Sequence, residues 1–135
     1  MTPEMSAADW TFAASNADRA LEARNCFLDY VRAWAVETSD LDAARMVYAE
    51  LVGNVVRHAP GPIWVGLDWT RERQARLCVR DSGRGFAPTF ALPDDEFSES
   101  GRGLAIVAAI TDTVTVKRDE AGTIVCATLP VRLAA

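Results

Sequence analysis

The chain is poor in histidine, cysteine, basic charge and long apolar runs, and each shortage excludes something. Of 135 residues, one is a histidine and three are cysteines. Cys26, Cys78 and Cys126 are widely spaced and odd in number. They make no CxxC pair and no disulfide framework, so three buried thiols in a reducing cytosol are expected. The longest apolar stretch, Gly103 to Ile110, is far too short to cross a bilayer. Met1 to Asp9 has neither a basic start nor an apolar signal core, so a cytoplasmic protein with no membrane contact is expected. The net charge of −5 argues against nucleic-acid binding, which needs a basic face. Charged residues make up 24% and apolar residues 50%, which fits a folded chain and not a disordered tail. The length suits one domain over residues 1–135 with a sizeable core.

Periodicity supplies the elements. Trp10 to Ala14 reads as a short strand, and Ser15-Asn16 offers capping oxygens. Ala17 to about Val36 is helical, with Leu21, Arg24, Leu28, Val31 and Ala35 at three- and four-residue steps and Phe27 and Trp34 beside them. Ser39-Asp40 breaks and re-caps the chain. A second helix runs from about Leu41 to His58, with Leu41, Ala44, Tyr48, Leu51, Val55 and Ala59 as its apolar stripe, and Pro60-Gly61-Pro62 ends it. Ile63 to Trp69 and Ala75 to Arg80 read as a hairpin. Asp81 to Ser100 is loop-like, and a third helix opens at Gly101 and runs to Ile110. Thr113 to Lys117 and Thr123 to Leu129 are strands around an Asp119-Glu120-Ala121-Gly122 turn. This order predicts an α+β two-layer sandwich: a mainly antiparallel, mixed sheet with helices on one face.

Three clusters carry candidate chemistry. Glu50 and Asn54 are one helical turn apart on one face, with His58 a further turn along. A carboxylate and a carboxamide so placed can orient a hydroxyl and bind a hard metal through oxygen, although a solvated face would look the same. Asp81-Ser-Gly83-Arg84-Gly85-Phe86 follows a strand. Its glycines let a flat ligand approach the backbone, and its carboxylate can accept a hydrogen bond from an exocyclic amine; an ordinary Asp-Gly loop is the alternative. Ser100-Gly101-Arg102-Gly103-Leu104 opens a helix, where unpaired N–H groups and a positive dipole end suit a phosphate; a flexible loop-to-helix junction is the alternative. No GK[ST] follows, so this is not a Walker A loop, and no strand precedes it, so it is not a Rossmann fingerprint. An acidic protein can hold an anionic nucleotide when a metal ion and backbone N–H groups carry the electrostatics.

In their order and spacing these clusters resemble the N, G1 and G2 boxes of the GHKL ATPase superfamily, to which gyrase and the histidine kinases belong. Within it the chain looks most like the bacterial anti-sigma-factor serine/threonine kinases, along nearly its whole length. The resemblance implies the Bergerat ATP-binding fold, with ATP and Mg2+ between a helix layer and a sheet. It implies that Glu50 polarises the attacking hydroxyl or water, that Asn54 coordinates Mg2+, and that Asp81 binds the adenine amino group above Gly83 and Gly85. It places Gly101 and Gly103 beneath the phosphates, with Leu104 beside them and Arg84 and Arg102 adding charge. Thr123 matches a threonine near the adenine. Arg24 matches an arginine that meets protein partners, although an arginine snorkelling at the core edge would read the same way. His58 is expected to shape the site or cap the helix and not to be phosphorylated.

The implied partners are a STAS-domain anti-anti-sigma factor, phosphorylated on serine, and a sigma factor sequestered in turn. Pairing of two copies is implied as well. The segment between Phe86 and Gly101 is a departure: it spans fourteen residues, carries Asp94-Asp95-Glu96 and lacks the longer basic lid of some relatives. It favours a second reading, an ATP-binding regulatory module with little or no kinase turnover. A third, half of a split histidine kinase, is weaker, because Phe90-Ala-Leu-Pro-Asp is a poor match to an F box.

Overall fold

The structure is a computed structural model, and it describes residues 8–36, 39–58, 61–81, 107–111, 113–119 and 122–134. The elements are β1 (Ala8–Ala13), α1 (Ala17–Trp34), α2 (Leu41–His58), β2 (Pro62–Trp69), β3 (Gln74–Asp81), β4 (Thr113–Asp119) and β5 (Gly122–Arg132). Residues 107–110 are helical as well, at the end of the expected third helix. The strands form one sheet in the order β1-β2-β3-β5-β4. All four pairings are antiparallel, so the sheet carries no parallel pair among the described residues.

Local chemistry sets the boundaries. The Asn16 side chain accepts from the Arg19 N–H at 3.0 Å and caps α1. Asp40 does the same for α2, accepting from the Ala43 N–H at 3.0 Å. Each side chain satisfies one donor that the first helical turn leaves orphaned, a contribution of about 1 kcal/mol. The β4–β5 hairpin closes at Gly122, whose φ of 133° suits glycine and few other residues.

Period-two alternation builds the sheet's inner face. Ile63, Val65, Leu67 and Trp69 of β2 are buried, as are Ala75, Leu77 and Val79 of β3. Val125, Ala127, Leu129 and Val131 continue that layer on β5. Against it α2 lays Ala44, Val47, Tyr48, Leu51, Val52 and Val55, and packs on β3 and β5. Helix α1 packs on β1 and α2. Two layers result, with one apolar core between them.

Two expectations are corrected. The stripe that α1 buries is Ala23, Phe27, Leu28 and Val31, not one running through Leu21, which is 50% exposed. The helix is rotated because Phe27, the largest of these side chains, is drawn fully under α2 and stacks on Tyr48 with ring centroids 4.9 Å apart. The cysteines are not three buried thiols. Cys78 and Cys126 stand opposite each other on β3 and β5 and are joined as a disulfide, while Cys26 is exposed on α1. Strand order is the reason: β5 inserts between β3 and β4, which brings together residues that sequence spacing keeps apart.

The end of β5 also anchors the link between the helices. The Val36 N–H donates to the Arg132 carbonyl at 2.9 Å, and the Asp40 N–H donates to the Pro130 carbonyl at 3.1 Å. The Arg132 N–H donates to Ser39 Oγ at 3.0 Å. The start of α2 is therefore fixed to the strand it crosses.

The rotation of α1 is testable by denaturant unfolding. Phe27→Ala should cost about 3–5 kcal/mol, as a fully buried aromatic truncation does. Leu21→Ala should stay within about 0.5 kcal/mol, as an exposed substitution does. A larger loss at Leu21 than at Phe27 would reverse the assignment.

Candidate functional site

A core built by apolar alternation has few places for polar side chains. Among the described residues, four polar or charged side chains are buried: Asn54, Asp81, Thr123 and Thr128. Thr128 shares its hydroxyl with Thr113 at 2.8 Å, a cross-strand pair that accounts for it locally. The other three are residues singled out from sequence.

Asp81 is the last residue of β3, where the sequence suggested the first residue of a loop. It is 1% exposed. The antiparallel register sets it opposite Ile63 on β2 and Thr123 on β5. Thr123, next to the glycine that opens β5, is 3% exposed. A row thus crosses the inner face as Phe12, Ile63, Asp81, Thr123 and Arg118, apolar at the β1 side and polar from the middle onward. Arg118, exposed on edge strand β4, was not singled out from sequence; strand register is the signal that places it in the row.

Helix α2 lies over β3 and β5 and supplies the other wall. Glu50 is half-buried, and Asn54, one turn later, is 3% exposed. The Asn54 Oδ1 atom is buried with no hydrogen-bond partner among the described residues. A buried carbonyl oxygen without a donor costs about 1–3 kcal/mol, a cost that a ligand at this atom would relieve. A hard divalent cation such as Mg2+ takes oxygen donors of this kind, and the site fits it on that ground. Among the described residues no cluster of three or more His, Cys, Asp or Glu side chains could hold a metal ion. A metal here would therefore lean on Asn54, on water and on the oxygens of its ligand.

The remaining predicted residues divide. Gly83, Arg84, Gly85, Gly101, Arg102, Gly103 and Leu104 lie outside the described residues, as do the segment 87–100 and the side chain of His58. Val107, just beyond, is fully buried in the common core. Arg24 is half-buried on α1, and its Nε has no hydrogen-bond partner among the described residues. One of its terminal nitrogens reaches Asn25 Oδ1 at 3.5 Å.

Tyr48 on α2 is near enough to Arg24 to feel its charge. Burial pushes its hydroxyl well above the usual tyrosine range, and the Arg24 guanidinium offsets this only in part. The neutral phenol is thus favoured in the folded state. The sign follows from proton linkage. The stability this contributes is complete below the unfolded value of about 10 and is lost as pH rises from there towards the folded value. Its hydroxyl is buried without a partner among the described residues. Tyr48→Phe should therefore leave neutral-pH stability unchanged or slightly raised, and should flatten the alkaline decline seen in wild type. Thermal midpoints from pH 8 to 11 measure both effects.

Comparison with known proteins follows the same lines. A sequence profile described as the histidine kinase-like ATPase domain matches residues 12–129. No curated protein matches the chain. A solved structure that matches is the histidine kinase domain from Erythrobacter litoralis EL346 blue-light activated histidine kinase, at 22% identity and a TM-score of 0.49. That match covers 67% of this chain and 44% of the other.

Proposed function

The chain belongs to the histidine kinase-like ATPase domain family, and from that premise we propose that it is an anti-sigma-factor-type serine/threonine kinase, with ATP bound between α2 and the inner end of the β3–β5 ladder. At the level of the family it is an ATP-binding domain of the GHKL type. One observation carries the rest: Asn54, Asp81 and Thr123 are buried polar groups in a layer that is otherwise apolar.

The buried Asp81 carboxylate can accept from the exocyclic amine of adenine, with Thr123 beside it as donor or acceptor. Burial raises the strength of such a bond because little water competes. Guanine presents a carbonyl oxygen at the equivalent position, and two acceptors facing each other repel. Mg2+ held through Asn54 Oδ1 would neutralise phosphate charge in a protein whose own net charge is −5. Glu50, half-buried one turn before Asn54, would orient a serine hydroxyl and take its proton. Gly83, Arg84, Gly85, Gly101, Arg102, Gly103 and Leu104 would complete the base and phosphate contacts.

The serine belongs, in this proposal, to a STAS-domain anti-anti-sigma factor, and a sigma factor is the alternative partner. Arg24 would meet these partners. A guanidinium kept half-buried, with no partner for its Nε among the described residues, would suit a carboxylate or phosphoserine. A cytoplasmic setting is part of the same proposal. No helix among the described residues is long and apolar enough to cross a membrane. The short acidic segment 87–100 supports a second reading, a regulatory ATP-binding module without appreciable turnover. Its negative charge would cover a γ-phosphate poorly.

Labelled ATP with a candidate STAS partner separates the two. Glu50→Ala should lose about 100-fold or more of the phosphoserine signal while keeping ATP affinity. Wild-type binding without any transfer would favour the module. Asp81→Asn should weaken ATP about 10- to 100-fold, the value of a buried hydrogen bond to a charged group. Unchanged affinity would remove Asp81 from the adenine site. Asn54→Ala should abolish the Mg2+-dependent part of binding in calorimetry run with and without the metal.

A further inference from the structure

The sheet's second face turns away from the helices. On it Cys78 and Cys126 stand directly opposite each other, with Cα atoms 4.0 Å apart and the sulfurs bonded. Opposed residues in the non-hydrogen-bonded pairs of an antiparallel ladder, where side chains approach most nearly, stand about 4.5 Å apart, and this pair is closer still. Both residues are half-buried, so the sulfurs can be reached from the open side. Arg76, Arg80 and Lys117 line the same shallow concavity as the two sulfurs. Arg76 is engaged by Asp68 at 2.6 and 3.0 Å. Glu72 is the one acidic side chain that lines it, so with Arg80 and with Lys117, exposed on β4, the concavity keeps an excess of basic groups in a protein that is acidic as a whole.

The pair has a definite relation to the inner site. Register runs from Cys78–Cys126 through Val79–Val125 and Arg80–Ile124 to Asp81–Thr123. The sulfur bridge thus ties the same two strands three pairs below the buried polar row and on the opposite face.

We propose that Cys78 and Cys126 form a reversible dithiol–disulfide site, served by anionic low-molecular-weight disulfides of the glutathione type, that locks the β3–β5 ladder when oxidised. The chemistry balances by exchange. One cysteine thiolate attacks a sulfur of glutathione disulfide, forms a mixed disulfide and releases one glutathione thiolate. The second cysteine thiolate then attacks the protein sulfur of the mixed disulfide and releases the second. The two cysteines lose two electrons and two protons, and one glutathione disulfide becomes two glutathione molecules. The basic concavity attracts the anionic reagent. Bridging residues 48 apart in sequence restrains the unfolded chain and stabilises the fold. The proposal concerns the bridge and the ladder and does not depend on what the inner face binds.

The test equilibrates the full chain across ratios of reduced to oxidised glutathione, alkylates, unfolds and weighs it. Cys26 is the internal reference. The reduced end should carry three adducts and the oxidised end one, at Cys26 or as its glutathione conjugate, with a smooth interchange at intermediate ratios. Three reactive thiols at every ratio, or a bridge that resists reduced glutathione throughout, would overturn reversibility. The oxidised form should unfold at a higher denaturant midpoint than the reduced form; coincident midpoints would overturn the lock. Lys117→Gln should slow oxidation by glutathione disulfide several-fold and leave oxidation by the neutral 2-hydroxyethyl disulfide unchanged. Equal slowing with both reagents, or none with either, would overturn the role of the basic concavity.

Discussion

The register between β3 and β5 is the constraint on which the rest depends. It sets Asp81 against Thr123 at the inner face and makes a polar pair where alternation would otherwise place two aliphatic side chains. A one-residue slip of either strand would send its member of the pair to the open face. It would also part Cys78 from Cys126, which face the other way on the same ladder. The packed row of Leu77, Val79, Val125 and Ala127 holds the register, because all of these lie at or near zero exposure and none could turn outward without opening the core.

The second wall of the site is fixed by different means. Helix α2 begins at a cap on Asp40, and that residue's own N–H is bound to Pro130 of β5. Val36 and Ser39 tie the preceding link to Arg132. The helix is therefore anchored at its start to the strand that carries Thr123, and Ala44, Val47, Leu51 and Val55 seat its length on the sheet. Glu50 and Asn54 ride on that helix, which packs on the two strands that carry Asp81 and Thr123. In the proposed function this is how an acidic chain would hold an anion without a basic cleft.

How much was legible beforehand depended on the range of the signal. Local signals read well: the caps at Asn16 and Asp40, the end of α2 at His58, and the alternation of β2 and β3 all fall where the pattern placed them. The three clusters were visible because Glu50 and Asn54 are one turn apart and because glycines punctuate the chain. Long-range pairing was not legible. Nothing in the spacing of Asp81 and Thr123, or of Cys78 and Cys126, states that β5 lies beside β3. On α1 the expected Leu28 and Val31 are buried, but Leu21 and Phe27 both fit a helical pattern, and the stacking of Phe27 on Tyr48 is what draws Phe27 in and leaves Leu21 out.

Base recognition by the Asp81–Thr123 pair is the central claim, and calorimetry of the intact chain with Mg·ATP and then Mg·GTP tests it most directly. A carboxylate that meets the base edge accepts the amine of adenine and repels the carbonyl of guanine. The account predicts a saturable isotherm with Mg·ATP, at one site per chain, and at least about 10-fold weaker binding of Mg·GTP, the value of one good hydrogen bond exchanged for a repulsion. Equal affinity for the two nucleotides, or no heat with either, would contradict it.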